Sequence, residues 1–143
     1  MIISFSREAF VQAIMVGTKI HTLREDKHDR WKPGNKIHYY KGNPRNKHTG
    51  PYTFGEGTCR GIQWVKLCNI NGYLLAYFSD QNPKETESWN QFPDLIQLAK
   101  NDGFANVNSL MKWFVPKSLD FWTGKIIHFT DFKYQNHAWN PES

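Results

Sequence analysis

The sequence predicts an α+β fold in which a small mixed β-barrel, or curled sheet, of about five to six strands carries two to three flanking helices. Short β-rich segments are separated by turn signals such as Asn71-Gly72. The helical stretches do not alternate with strands, which argues against a doubly wound parallel sheet. Aromatic residues make up 15% of the 143 residues, and large rings let a modest apolar fraction build a core.

The amino-terminal third begins with a strand and a helix. Residues 1–5 are predicted as a strand, and Ser6 is a candidate N-cap for a helix that runs to Met15 and stops at Gly17. From Gly17 to Arg24 the pattern is close to period two, so that neighbouring side chains point to opposite sides if the segment is extended.

The middle of the chain contains strands and polar loops. A turn at 31–34 precedes a strand at 37–40, and further strands are predicted at 58–67 and 73–78. Residues 41–52 and 80–90 are polar and are predicted to be loops.

The carboxyl-terminal part contains two helices and a closing strand. Pro93 suits the first turn of a helix that ends near Gly103. Asn106 is a candidate N-cap for a second helix, which Pro116 limits. The closing strand is predicted at 124–134. The apolar stripe of the second helix consists of Val107, Leu110, Met111 and Phe114.

The chain is expected to form one domain at residues 1–135, followed by a flexible tail at 136–143. No apolar run approaches the length of a membrane helix, and Arg7 and Glu8 interrupt the first apolar residues too early for a signal peptide. Two cysteines are fewer than a disulfide-stabilised secreted domain usually carries. These features predict a cytoplasmic protein without membrane partners. The sequence leaves the oligomeric state open between a monomer and a weak dimer.

Positive charge is concentrated in one stretch. Residues 17–48 hold nine Lys or Arg and three acidic residues, a net charge of +6, whereas the whole chain has +5. Such a cluster attracts phosphate or another anion, although a solvated basic face gives the same pattern.

The run Gly17-Thr18-Lys19-Ile20-His21-Thr22-Leu23-Arg24, followed by Arg30-Trp31-Lys32-Pro33-Gly34, resembles the signature of the ASCH family. That signature is a Gly-x-Lys-x-x-Thr-x-Arg run, a polar gap and an aromatic-x-x-Gly step into a strand. The turn at 99–104 and the strand at 126–129 also resemble the family pattern, so the resemblance covers roughly residues 2–133.

The resemblance implies a PUA-like barrel with a cleft between the Lys19 segment and the helical excursion. ASCH domains are associated with RNA, and one bacterial branch removes the acetyl group from N4-acetylcytidine with a lysine, a threonine and a glutamate. Lys19 and Thr22 match the first two residues. The glutamate falls near Asp102, which is one methylene shorter.

Amide hydrolysis by side chains requires a nucleophile, a base and a group that holds the oxyanion. Thr22 offers a hydroxyl, Lys19 is a base if its pKa is lowered, and Asp102 orients a water or Lys19. If the segment is extended, however, Lys19 and Thr22 point to opposite sides, and they converge only if it turns between them. The ordinary alternatives are a solvated lysine, a strand threonine and a turn aspartate.

The sequence predicts no cofactor and no metal site. Cys59 and Cys68 lack a CxxC partner and the six histidines match no ligand motif. His128 lies in an apolar strand, where a satisfied core histidine is the usual interpretation. Trp31, Tyr39, Tyr40 and Trp64 offer stacking faces to a base, although such residues more often belong to the core.

Two functional hypotheses follow, and a third is an interaction domain whose basic face only keeps it in solution. The first, slightly favoured by the sequence, is binding of RNA or a nucleotide through a basic cleft. The second is hydrolysis of an acylated nucleoside by Lys19, Thr22 and Asp102. The candidate ligand-binding residues are Arg24, Arg30, Lys32, His21 and Trp31.

Overall fold

The computed structural model describes residues 1–42, 52–83 and 89–135. Within these residues the fold is mixed α+β, with two sheets and three helices. The predicted tail at 136–143, most of the predicted loop at 41–52 and residues 84–88 of the loop at 80–90 lie outside the described residues. The elements are β1 (Ile2–Phe5), α1 (Glu8–Met15), β2 (His21–Arg24), β3 (Lys36–Lys41), β4 (Tyr52–Thr58), β5 (Gly61–Ile70), β6 (Tyr73–Ser79), β7 (Asn90–Gln91), α2 (Leu95–Asn101), α3 (Val107–Phe114) and β8 (Phe121–His128).

The smaller sheet has three strands in the order β1-β3-β4. β1 runs parallel to β3, with Ile3 opposite Tyr39, and β4 runs antiparallel to β3. Alternate residues of β1 and β3 are buried, so Ile3, Phe5, Ile37 and Tyr39 face the core. This sheet therefore contributes one apolar face.

The larger sheet has five strands in the order β2-β8-β5-β6-β7, and its neighbours pair antiparallel. The ten-residue β5 lies at its centre. β2 pairs with β8 so that His21 lies opposite His128 and Thr22 opposite Ile127. This register fixes where the polar residues of β2 lie relative to the core.

Several sequence predictions need correction at the ends of elements. Strand β4 was not predicted, and the strand expected at 58–67 is instead β5, which begins at Gly61 after a break from β4. The closing strand ends at His128 and not at Tyr134. The described residues form eight strands rather than about five to six, and their pairing gives two sheets that do not close on each other. The barrel is therefore not established by strand pairing.

The helix caps follow the sequence prediction in part. Asn106 caps α3 as predicted, and its side chain accepts a hydrogen bond from the Ser109 amide. The N-cap of α1 is Arg7, without a side-chain hydrogen bond, so the prediction for Ser6 is wrong. Asp94 caps α2 and places Pro93 before the helix rather than in its first turn. An aspartate side chain accepts amide protons there, which a proline cannot do.

The segment between α1 and β2 is hydrogen-bonded to two other parts of the fold, and these bonds determine where the candidate site lies. The Ile20 amide donates to the carbonyl of Asn101 at the end of α2, and the Ile20 carbonyl accepts from the Phe129 amide after β8. The residues just before β2 are thus held between α2 and the larger sheet. None of the described helices is long and apolar enough to cross a membrane.

Candidate active site

A cavity of about 280 Å³ opens between β1, β2 and the α2–α3 turn. Much of its wall is aromatic and includes Phe5 and Trp113, contributed by β1 and α3. Seven side chains that carry charge or a hydroxyl also line it: Ser4, Ser6, Lys19, Thr22, Arg24, Glu25 and Asp102. These include all three residues predicted to be catalytic.

Lys19 and Thr22 line the same cavity because the extended segment does not reach back to Lys19. Strand β2 begins at His21, and residues 18–20 form an irregular link. The amides of Thr18 and Lys19 both donate to the carbonyl of Ala13 in α1. The alternation of a strand therefore does not extend to Lys19, and the condition under which Lys19 and Thr22 converge, a segment that is not extended throughout, is met.

The ammonium group of Lys19 is buried and held by one acidic residue. Its side chain is 2% exposed, and Nζ donates to the Asp102 carbonyl at 2.6 Å and to Asp102 Oδ1 at 3.1 Å. The rings of Phe10 and Phe5 lie 4.9 and 5.6 Å from Nζ. Burial lowers the pKa of Lys19, and Arg24 adds to this, whereas Asp102 acts in the opposite direction.

Asp102 is the C-cap residue of α2 and is itself only 2% exposed. Its Oδ1 atom also lies 3.1 Å from Nδ1 of His21. Among the described residues no hydrogen-bond partner is found for Oδ2. Because Asp102 lines the cavity, this second oxygen can accept a hydrogen bond from a ligand or water.

The positions of the protons on His21 follow from its partners. A carboxylate only accepts hydrogen bonds, so Nδ1 of His21 carries a proton and donates to Asp102. Nε2 then accepts from the Tyr134 hydroxyl at 2.6 Å, and Asn101 Nδ2 donates to that hydroxyl at 3.1 Å. Burial, the largest influence, lowers the pKa of His21 and keeps the ring neutral.

Arg24 connects Thr22 to the first strand. Its Nε donates to Thr22 Oγ1 at 3.3 Å, and its terminal nitrogen donates to the Ser4 carbonyl at 2.9 Å. The guanidinium carbon lies 5.0 Å from the centre of the Phe5 ring. Thr22 therefore uses its oxygen as an acceptor, which leaves its hydroxyl proton available to a base.

The predicted ligand-binding residues are not all at this cavity. Arg24 lines it, whereas His21 lies fully buried behind Asp102. Trp31 is a core residue. Arg30 and Lys32 are exposed outside the cavity.

The basic segment is more dispersed than the sequence indicated. Lys32 and Lys36 lie 3.8 and 3.4 Å from carboxylates of Asp29 and Glu56. Lys41 pairs with Glu8. Much of the positive charge in the described part of the segment is therefore locally compensated.

Tyr134, Asn101 and Trp113 were not predicted to belong to the site. Tyr134 was assigned to the closing strand, and nothing in the local sequence indicates that its hydroxyl reaches His21. Trp113 is different, because it lies off the apolar stripe of α3 and remains 50% exposed. A large aromatic residue off the buried stripe was an available signal for a contact surface.

The fold and cavity define an α+β protein with a buried lysine–aspartate pair in an aromatic-walled site. No three His, Cys, Asp or Glu side chains among the described residues are grouped so as to hold a metal ion. No family model, no curated protein and no solved structure matches this chain. Its function is therefore inferred from the cavity and from the motif in the sequence.

Proposed function

We propose that this chain is an amidohydrolase of the ASCH type that removes the acyl group from N4-acetylcytidine or a related acylated nucleoside. The observation that carries the proposal is the convergence of Lys19, Thr22, Arg24 and Asp102 on one cavity. The sequence alone slightly favours simple binding, because binding needs only the charge cluster and a cleft, whereas catalysis also needs Lys19 and Thr22 to converge. Their shared cavity supports catalysis instead.

The proposal includes a PUA-like barrel as the finer description of the fold. Both sheets contribute to one hydrophobic core, as strongly curled strands require. The rings of Tyr39 in the smaller sheet and Phe129 after β8 pack edge to face with centroids 5.2 Å apart. These contacts support a curled arrangement of the two sheets around common apolar residues.

The state of Lys19 also favours chemistry over binding alone. Burying an ion pair is costly, and the pair does not stabilise a fold better than apolar residues of the same size. A lysine whose pKa is lowered by burial, placed in a cleft beside a carboxylate, is typical of catalytic sites. In its neutral form Lys19 can take a proton from a nearby hydroxyl.

The proposed reaction proceeds in two steps. Thr22 Oγ1 attacks the acyl carbonyl carbon while Nζ of Lys19 takes the hydroxyl proton, and Arg24 donates hydrogen bonds to the resulting oxyanion. The carbon–nitrogen bond then breaks, and Lys19 returns the proton to the departing amine nitrogen, leaving an ester on Thr22. Water then attacks this ester while Lys19 takes its proton, the bond between the acyl carbon and Oγ1 breaks, and Lys19 passes that proton to Oγ1, which restores the Thr22 hydroxyl and releases the acid.

The size and walls of the cavity suit a base-sized group. A volume of about 280 Å³ lies just below the range for pockets that hold drug-sized ligands, roughly 300–1,000 Å³. Its aromatic wall offers stacking surface to a planar ring. Trp113 of α3 lines the cavity and is 50% exposed, so a base that stacks on it would leave its sugar on the solvent side.

Binding of RNA or a nucleotide is the second candidate, and one observation favours it. Lys27 and Arg30 are exposed and have no ion-pair partner among the described residues. They border a second depression beside the cavity. If this surface binds RNA, Lys27→Glu together with Arg30→Glu weakens binding and flattens its salt dependence.

The enzyme hypothesis is tested by comparing two buried lysines. Lys19→Met removes the base, whereas Lys125→Met removes a lysine that is equally buried and paired with Asp26 and Asp29 but lies outside the cavity. With N4-acetylcytidine as substrate, we expect turnover by the parent and by folded Lys125→Met but none by Lys19→Met. Equal loss in both variants would mean that Lys19 acts only through stability.

A further inference from the structure

His21 contacts the candidate catalytic groups from behind rather than from the cavity. It is fully buried and does not line the cavity, yet Nδ1 lies 3.1 Å from the same Asp102 oxygen that binds Lys19. Oδ1 of Asp102 thus accepts from two donors, one of them the Lys19 ammonium. Any change in the His21 donor alters how much of the carboxylate is available to Lys19.

The direction of the His21 donor is set by groups on other elements. Tyr134 donates its hydroxyl proton to Nε2 of His21, and Asn101 in α2 donates to the Tyr134 oxygen. This chain of donors leaves the single proton of a neutral His21 on Nδ1, pointing at Asp102. The arrangement is a directed hydrogen-bond network rather than a set of interchangeable contacts.

We propose that His21 is a positioning residue that controls the protonation of Lys19 through Asp102. By donating to Oδ1, His21 spreads the negative charge of Asp102 over two donors and weakens the stabilisation of the Lys19 ammonium. Lys19 is then more readily deprotonated, as its role as a base requires. The inference rests on the proposed function for its purpose, but the effect on Lys19 is measurable without turnover.

The other groups around Lys19 allow the sign of the effect to be assigned. Asp102 stabilises the ammonium, while Arg24 and burial oppose it. Glu25 lines the same cavity but is exposed. His128, on β8, has its ring 5.6 Å from that of His21, and its burial keeps it neutral near pH 7. Loss of the His21 donor therefore raises the pKa of Lys19.

Two substitutions at His21 separate this role from a structural one. His21→Leu removes the donor, whereas His21→Asn keeps an amide donor at the position of Nδ1. The titration of Lys19 is followed by NMR through its Cε signal, assigned by its absence in Lys19→Met. We expect the pKa of Lys19 to rise by about one unit in His21→Leu and to stay within about 0.3 units of the parent in His21→Asn.

Activity gives an independent readout. In the plot of kcat/KM against pH, the acidic limb should move to higher pH by the same amount in His21→Leu. At still higher pH the value of kcat/KM should recover, because the base is intact. If His21→Leu does not fold, Tyr134→Phe is the second variant. Without the Tyr134 hydroxyl the proton of His21 is no longer confined to Nδ1, so the pKa of Lys19 should rise by a smaller amount. Equal Lys19 pKa values in His21→Leu and His21→Asn, or no shift in Tyr134→Phe, would overturn the inference. Absence of turnover by the parent would instead count against the proposed function.

Discussion

Gly103 and Lys19 lie so close together that a Cβ atom at position 103 would be 3.0 Å from Cδ of Lys19. The same Cβ would lie 3.0 Å from Cδ1 of Phe10. Gly103 also has a φ of +87°, in the left-handed region that favours glycine. The residue after Asp102 is therefore restricted both by its backbone and by the space that Lys19 occupies.

Replacing this glycine tests whether the placement of Lys19 matters. Gly103→Ala should lower turnover of N4-acetylcytidine at least about tenfold, because a displacement of Lys19 by a fraction of an ångström disturbs its alignment with Thr22. Gly72→Ala is the matched control, since Gly72 has a φ of +86° but no atom within 4 Å of its Cβ position. Both variants should lose stability, about 1 kcal/mol from the backbone alone, but only Gly103→Ala should lose activity. Equal activity losses would contradict this account.

The hydroxyl of Thr22 is predicted to be essential. Thr22→Val has nearly the same shape and no hydroxyl, so we expect turnover to fall below detection while Arg24 loses an acceptor. Thr22→Ser keeps the hydroxyl and should retain measurable activity. Mass spectrometry of the parent quenched during turnover should find an acetyl group on Thr22. Full activity in Thr22→Val would show that water attacks the substrate directly.

Stability should depend on pH through His128. Burial lowers its pKa from 6.5 to about 3, so the unfolded chain binds more protons than the folded chain between these values. The stabilisation is complete above about pH 6.5 and is lost as the pH falls toward 3, by about 1.4 kcal/mol per pH unit for one proton. His21, whose pKa burial also lowers, contributes in the same direction.

A substitution separates the His128 contribution from the rest. His128 Nε2 donates to Gln63 Oε1 at 2.9 Å, and Nδ1 has no partner among the described residues. His128→Gln keeps a donor for Gln63 but cannot gain a proton. The free energy of unfolding, measured with urea at several pH values between 4 and 6.5, should therefore rise less steeply with pH in this variant than in the parent. An unchanged dependence of the free energy of unfolding on pH would mean that unfolding does not change the protonation of His128.

Trp113 is predicted to contribute to substrate binding more than to stability. Trp113→Leu should raise KM several-fold with a smaller change in kcat, because stacking is made equally in the ground state and the transition state. Since the side chain is 50% exposed, the cost in stability should stay near 1 kcal/mol. An unchanged KM for N4-acetylcytidine would place the substrate ring elsewhere.

Features that depend on neighbouring residues were predictable from the sequence, whereas features that depend on distant residues were not. Asn106 and Gly17 were placed correctly because a cap and a left-handed glycine act on the adjacent residues. The strand that ends at His128 was extended to Tyr134 because the sequence does not show where β5 stops pairing with it. Local patterns therefore predicted elements better than their ends.

The candidate site shows the same limit. The family motif indicated Lys19, Thr22 and Asp102. These residues line one cavity because the backbone of Ile20 is hydrogen-bonded to Asn101 of α2 and to Phe129 after β8, both far from Ile20 in the sequence. The contact of Tyr134 with His21 spans 113 positions and leaves no periodic signal. Such contacts follow from tertiary packing and not from propensity.

The most direct test of the central claim is a proton NMR measurement of the purified parent chain incubated with N4-acetylcytidine. The account predicts that acetate and cytidine appear in equal amounts, and that neither appears with Lys19→Met. A folded parent chain that releases no acetate from N4-acetylcytidine or related acylated nucleosides would contradict the assignment of the Lys19 cavity to amide hydrolysis.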